Sequence, residues 1–426
     1  MIDKKIKEYS NYCLNCKVKP CSQKGCPLSN DIPAFIKCVK DEDLKQAYMI
    51  LTKTTMLGSV CGRICPHEKQ CQGSCVRGIK SEPVHIGEIE AYVFDNGLKN
   101  EYYKEIEKSN TLKDKKIAVI GSGPASLNAS AFLAMAGADV TIYEKQNELG
   151  GILSHGIPEF RLNRDVLNST INQILSLGIK IKKGITLGKD IELEELKKNY
   201  DAVFLGIGAN VPAKMNIPGE ELEGVFGGNT LLEKGNHPDY TDKIVAVSGG
   251  GNVAMDCART IKRLGAKKVY VIYRRAEEQM PAEKKEIVDA KNEGIEFLFQ
   301  NNIVKIIGDE KVKRVECIKT VLVQKEGETR LSPVNIEGSN YELDVDYVVM
   351  AVGSKPDKNI LSKLNLELNE WGYIKVDENY KTSDDKVYAG GDLIGQKATV
   401  AWAAKAGRDA AKAIERKLKN SIWQNY

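Results

Sequence analysis

Nine of the chain's 11 cysteines fall before residue 76. They run Cys13-x2-Cys16-x4-Cys21-x4-Cys26-Pro27, then Cys38, then Cys61-x3-Cys65-Pro66-x4-Cys71-x3-Cys75. Thiolates grouped this way bind metal. Zinc prefers paired CxxC knuckles around one tetrahedral ion. Only one CxxC is present and two cysteines precede proline, a spacing closer to the runs that hold 4Fe-4S cubanes. Zinc and purely structural thiols stay open as the other readings. The N-terminus, MIDKKIKEYSNYCLNC, has no apolar leader core, and no stretch approaches the ~18 apolar residues of a membrane span. The expectation is a cytoplasmic chain with reduced thiols rather than disulfides.

Two glycine loops carry a second chemistry. Gly121-Ser122-Gly123-Pro124-Ala125-Ser126 follows the apolar run Ile117–Ile120 and opens a helix. The first glycine permits a tight turn, the second lets the backbone approach a pyrophosphate, and the helix N-terminus offers N–H groups to the phosphates. Ser126 stands where a third glycine is usual. Glu144, 23 residues after Gly121, suits the ribose hydroxyls. The second loop, Gly249-Gly250-Gly251-Asn252-Val253-Ala254, follows Ile244–Val247, and its partner strand ends in Arg274-Arg275 rather than an acid. Two guanidinium groups match a 2′-phosphate, which favours NADP over NAD. Acid after one loop and arginines after the other suggest a resident dinucleotide first and an exchanging NADPH second.

These groups need elements to hold them. The stretch 31–54 has helical spacing with Asp31 as N-cap, and 84–106 also reads as helix, so residues 1–108 form a helical module without long β pattern. A charged linker, 107–116, precedes a strand–turn–helix–strand plan at 116–145 that returns at 243–275. The tail 386–418 is a strand, a Gly-Gly-Asp turn and an amphipathic helix. At 426 residues the chain is too long for one core. Its 62 basic and 58 acidic residues leave a net +4, which gives no reason to expect nucleic acid or a membrane as partner. No cysteine lies between residues 76 and 256, and Cys257 and Cys317 stand alone, which excludes a flavin disulfide reductase.

The chain resembles the small (beta) subunit family of bacterial NADPH-dependent glutamate synthase. That module also forms the large subunit of electron-bifurcating ferredoxin:NADP oxidoreductase and the N-terminal part of dihydropyrimidine dehydrogenase. The resemblance rests on CLNCKVKPCSQKGCPLSNDIPAFI (13–36), VCGRICPHEKQCQGSCVRG (60–78), PVHIGEIEAYVFD (83–95), GGILSHGIPEFRL (150–162), VIYRRAEEQMPA (271–282), AGGDLIG (389–395) and the two glycine loops.

It implies an α/β chain with an N-terminal helical iron–sulfur domain and two Rossmann-like dinucleotide-binding domains, the second inserted in the first. The implied spans are 1–108 for the clusters, 114–243 and 344–426 for FAD, and 244–343 for NADPH. Two 4Fe-4S clusters are implied. Cys13, Cys16, Cys21 and Cys75 would hold one, and Cys26, Cys65, Cys71 and Glu90 the other, leaving Cys38 and Cys61 as small buried bystanders. Four residues separate Cys21 from Cys26 where many members have three, so the extra residue calls for a small bulge. FAD would lie along Gly121, Gly123, Pro124, Ser126, Glu144, Lys145, Gly151, Arg161, Gly391, Asp392 and Thr399. NADPH would meet Gly249, Gly251, Asn252, Val253, Asp256, Arg274 and Arg275. Hydride transfer between stacked rings needs positioning, so no general acid or base is nominated. The implied partner is the large subunit of a glutamate synthase, or a ferredoxin or second flavoprotein. A non-catalytic iron–sulfur and nucleotide-binding interaction subunit is the rival of another class.

Overall fold

The computed structural model describes residues 2–325, 327 and 330–423. Among the described residues before Lys116 there is no strand. Five helices carry the cysteine-bearing segment: α1 (Lys4–Asn11), α2 (Ile32–Lys40), α3 (Leu44–Thr52), α4 (Gly58–Ile64) and α5 (Ile86–Lys99). Aspartates start the first three. Asp3 accepts from the N–H groups of Lys5 and Ile6, Asp31 from Ala34 and Asp43 from Gln46. The helical spacing across 31–54 therefore resolves into two helices, broken where Glu42 turns to φ +62° and restarted by the Asp43 cap. Phe35, Val39, Tyr48, Leu51, Val93 and Phe94 form the core between them, each fully buried.

The linker leads into β1 (Lys116–Ile120), α6 (Pro124–Met135) and β2 (Asp139–Glu144). With β3 (Lys180–Lys183), β4 (Ala202–Leu205) and the strand Val387–Ala389 they make a five-stranded parallel sheet. Its order is Val387–Ala389, β4, β1, β2, β3. Ile117–Ile120 is apolar throughout because both faces of β1 are covered. The chain leaves β1 toward β2 on one side and returns with β4 on the other. This reversal opens a crevice at the carboxyl end of β1, where ligands of such sheets bind.

A second five-stranded parallel sheet repeats the plan, in the order Val225–Gly227, Tyr347–Met350, Ile244–Ser248, Lys268–Tyr273, Glu296–Phe299. Beside it stands an antiparallel sheet of Asn301–Gly308, Val312–Val323, Ser332–Asn335 and Tyr341–Asp344, which the sequence reading did not anticipate.

The chain divides into two compact units: Met1–Ser154, Glu159–Ala209 and Pro356–Tyr426 in one, His155–Pro158 and Asn210–Lys355 in the other. The inserted unit is thus wider than the expected 244–343. The reason is strand pairing: Val348 sits between Val225 and Ala246, so residues from both expected flanks belong to the second sheet. Among the described residues no helix is long and apolar enough to cross a membrane.

Candidate functional site

Cys13, Cys16, Cys21 and Cys75 line one cavity, together with Pro20, Ile36 and Arg77. All four are partly exposed. Cys13 follows α1, and Arg77 Nε donates to the carbonyl of Tyr12 at 3.0 Å, which ties the two ends of the set together. The spacing departure has a structural answer. Cys21–Gly25 forms one turn of π-helix, and the Cys26 N–H donates to the Cys21 carbonyl at 2.8 Å. A π turn takes up one residue more than an α turn and so absorbs the extra position.

The second set is deeper. Cys65, Cys71 and Glu90 are 5%, 6% and 5% exposed, and Cys26 is partly exposed. Gly25 brings two of them together: a Cβ there would fall 2.7 Å from the Gln70 carbonyl and 2.8 Å from Cys71 Cα. Burial pushes the Cys26 thiol up to about 12, with the nearby Glu90 carboxylate and Cys65 adding to it. Cys71 is raised well above the ordinary thiol value by burial and by Cys26, Glu90 and Cys65. Burial lifts the Glu90 carboxyl to about 8, while Asn30 Nδ2 donates to its Oε1 at 3.1 Å. These donors are therefore buried and close enough to feel one another's charge. Metal-bound thiolates escape the cost that burial places on free ones, so such a set fits a bound cluster. Among the described residues no three His, Cys, Asp or Glu side chains converge as on a single ion. A cubane does not require that, since each of its ligands binds a different iron.

Of the two expected bystanders, Cys61 is buried, at 2% exposed. Cys38 is partly exposed rather than buried.

The first glycine loop occupies the crevice of the first sheet. Gly121 has φ +86°, and a Cβ there would stand 2.7 Å from the Gly206 carbonyl. Pro124 is the first residue of α6, after the N-cap Gly123. No side chain caps this helix, so its first N–H groups are left for a phosphate. Ser126 fits the third position because its neighbour is Gly206: a Cβ on Gly206 would meet Ser126 Oγ at 2.2 Å. Gly151 packs against Gly123, and Gly391 (φ +71°) against Ala125, which brings the Gly390–Asp392 turn to the loop. Burial raises the Asp392 carboxyl. Lys145 is exposed after β2, and Arg161 is partly exposed in the segment before the helix Arg164–Leu175. Thr399 precedes the helix Val400–Trp423, and its Oγ1 accepts from Trp402 N–H at 3.4 Å.

The second loop repeats the geometry in the second sheet. Gly249 has φ +144°, and a Cβ there would meet the Ala351 carbonyl at 2.3 Å. Gly251 is the N-cap of the helix Asn252–Arg263, again without a side-chain cap. Asn252 Oδ1 accepts from Glu283 N–H at 3.0 Å, Val253 packs beside Gly228, and Asp256 is 3% exposed. Arg274 is exposed, whereas Arg275 Nε donates to the Leu331 carbonyl at 3.1 Å.

Several residues at these sites escape a sequence reading. Ser122 Oγ donates to Glu144 Oε2 at 2.6 Å and accepts from Gly150 N–H at 3.0 Å, which fixes the acid. Arg330 joins the arginine end of the second sheet, with Nη2 3.0 Å from the Gln279 carbonyl and 3.4 Å from Tyr273 OH. Gln70, next to Cys71 and 8% exposed, donates through Nε2 to Thr399 Oγ1 at 3.4 Å. Asn128, fully buried on α6, accepts from Met56 N–H at 3.0 Å and donates to the Ala404 carbonyl at 2.8 Å. These last two join the cysteine module to the first sheet's helices within one compact unit.

Residues 115–410 match the pyridine nucleotide-disulphide oxidoreductase family model, and residues 1–102 match dihydropyrimidine dehydrogenase domain II, 4Fe-4S cluster. The glutamate synthase (NADPH) small chain of Halomonas elongata is 34% identical over 419 residues, covering 94% of this chain and 88% of that one. The NADP(+)-dependent formate dehydrogenase subunit beta of Moorella thermoacetica is 35% identical over 427 residues, covering 94% of this chain and 60% of that one. Among solved structures, Mycobacterium tuberculosis FprA in complex with NADPH has the same fold, with TM-score 0.65 and 20% identity over 73% of this chain and 86% of that one.

Proposed function

Because the chain belongs to the glutamate synthase small-chain family and, over residues 115–410, to the pyridine nucleotide-disulphide oxidoreductase family, we propose that it is an NADPH-dependent FAD and iron–sulfur oxidoreductase that delivers electrons to a partner protein. The observation that carries this reading is the grouping of the N-terminal donors into two sets, in the same compact unit as the first glycine loop. The disulfide chemistry in the second family's name has no basis in this chain, since Cys257 and Cys317 are isolated and buried.

The first crevice takes FAD. Gly121, Gly123, Pro124 and Ser126 admit its pyrophosphate, Glu144 its ribose, and Asp392 its ribityl chain, with Lys145, Gly151 and Arg161 along its length. Thr399 and the first turn of Val400–Trp423 offer a positive dipole end to the reduced ring. The second crevice takes NADPH on Gly249, Gly251, Asn252, Val253 and Asp256, with Arg274, Arg275 and Arg330 toward its 2′-phosphate. Cys13, Cys16, Cys21 and Cys75 hold one 4Fe-4S cluster, and Cys26, Cys65, Cys71 and Glu90 a second. When bound, FAD would supply the conversion of a hydride from NADPH into single electrons, and clusters held by the N-terminal donors would supply a path for them. The chain's own groups bind, orient and desolvate, and none acts as acid or base. Gln70, next to Cys71, donates to Thr399 at the proposed flavin site, which supports a route from the deeper set to the exposed one and out. The acceptor is a protein such as a glutamate synthase large subunit, in the cytoplasm.

Anaerobic titration tests this reading. NADPH bleaches the flavin, and replacing both Arg274 and Arg275 by Ala raises the NADPH requirement roughly 10- to 100-fold, as loss of charged hydrogen bonds worth ~1.5–3 kcal/mol would. The NADH requirement stays unchanged. No bleaching by either nucleotide would leave only the interaction-subunit reading.

A further inference from the structure

The surface around the exposed cysteine set combines aliphatic side chains with charge of one sign. Leu14 and Val76 line the cavity with Cys13, Cys16, Cys21 and Cys75, and are 50% and 39% exposed. Val18 and Ile79 stand two residues beyond Cys16 and four beyond Cys75, at 71% and 76% exposure. The two segments are tied together. Arg77 Nε donates to the Tyr12 carbonyl at 3.0 Å, the Arg77 guanidinium lies 4.2 Å from the Tyr12 ring centroid, and Tyr12 OH and Ser81 Oγ are 2.7 Å apart. A cluster of exposed aliphatic side chains rimmed by charge marks a surface that another protein covers. The charge is one-sided. Residues 9–30 and 70–81 hold five basic side chains, Lys17, Lys19, Lys24, Arg77 and Lys80, and no Asp or Glu, in a chain with 62 basic and 58 acidic residues. Lys19 pairs with Asp31 at 2.7 Å. Among the described residues Lys17, Lys24 and Lys80 are exposed and make no side-chain ion pair.

Resting on the two-cluster reading above, we propose that these four aliphatic side chains, with Lys17 and Lys80 beside them, form the docking surface for an acidic one-electron carrier protein. The carrier's contact face is the complement of this one, an apolar centre within a rim of carboxylates. The apolar centre holds the partner and excludes water, while the charged rim draws it in and sets its orientation. A carrier seated there covers the cavity that the four cysteines line. One electron crosses at a time: the carrier is oxidised as the exposed cluster is reduced, or the reverse, and no bond forms or breaks. Charge argues against a second copy of this chain as the occupant, since an isologous contact would set lysine against lysine. A nucleic acid is disfavoured because an aliphatic centre offers bases no stacking platform. A membrane is disfavoured because the four residues sit on two short irregular segments rather than along one face of an amphipathic helix.

The test uses the loaded full chain, with an acidic ferredoxin as the probe. Photoreduced ferredoxin is mixed anaerobically with the oxidised protein, and its reoxidation is followed by absorbance across a range of salt. Wild type should accept electrons fastest at low salt and slow as salt rises. Lys17→Glu/Lys80→Glu should slow transfer about tenfold or more at low salt and flatten the salt dependence. Val18→Ser/Ile79→Ser should raise the half-saturating ferredoxin concentration roughly tenfold, with the salt dependence retained. The same charge change at Lys234 and Lys267, exposed residues of the other unit, should leave transfer unchanged. Each variant should keep wild-type iron content and flavin bleaching by NADPH, because the substituted side chains are exposed. Wild-type rates and salt dependence in both patch variants would overturn the proposal. So would an equal loss in the Lys234 and Lys267 control, or wild type that binds single-stranded DNA or phosphatidylserine vesicles but takes no electron from ferredoxin. An unbleached flavin, or about four irons in wild type, would instead defeat the reading beneath it.

Discussion

Cys13, Cys16, Cys21 and Cys75 sit partly exposed around a cavity rimmed by Arg77, while Cys65, Cys71 and Glu90 are almost sealed. The two sets come from cysteines within the first 75 residues plus one glutamate, yet they differ in burial. The exposed set can meet a partner surface. The sealed set is held by close backbone contacts, Gly25 on Cys71 and Gly62 on Ala91, and Gln70 beside Cys71 reaches Thr399 ahead of the helix Val400–Trp423. Burial raises the Cys71 thiol and the Glu90 carboxyl there. Under the proposed two-cluster reading, depth rather than cysteine count separates an electron exit from an electron relay.

The contrast can be broken most forcefully by removing one donor from each set. Cys71→Ser should empty the sealed site, halve the iron and reduce electron delivery to background, while NADPH still bleaches the flavin. Cys16→Ser should also halve the iron and stop delivery, but leave the sealed cluster's EPR signal intact. If the two variants lost the same EPR signal, the division into two sets would be wrong. A smaller effect concerns access. A chelator should strip the exposed set first, so iron release from wild type should come in two phases of similar amplitude. A single phase would make the depth difference irrelevant. The mildest test concerns the join. Asn128→Leu leaves Met56 N–H and the Ala404 carbonyl buried without a partner and should cost about 1–3 kcal/mol. Its iron count should not change, and an unchanged melting temperature would show that the module and the flavin-type unit do not depend on this bond.

How far the sequence can be read depends on how local each signal is. The glycine loops are legible because turn, phosphate approach and helix start lie within six residues, and both fall at strand-order reversals. Asp31 is legible as a cap for the same reason. The extra residue between Cys21 and Cys26 shows as a departure, but its resolution as a π turn appears only in the hydrogen bond that closes it. Ser126 looks like a flaw in its motif until Gly206, 80 residues on, is seen to leave room for it. Arg330, Gln70 and Asn128 carry no motif, since each acquires meaning only from a distant partner. The edges of the inserted unit are not legible in the sequence because Val225–Gly227 is too short to announce itself, and it is the pairing with Val348 that enrols it.

Loading of two cubanes from one flavin-type site is tested most directly by the stoichiometry of iron, acid-labile sulfide and flavin in anaerobically reconstituted protein. About eight irons and about eight sulfides per FAD are expected, with two EPR-distinct clusters on reduction. Four or fewer irons per flavin, or zinc in place of iron, would contradict it.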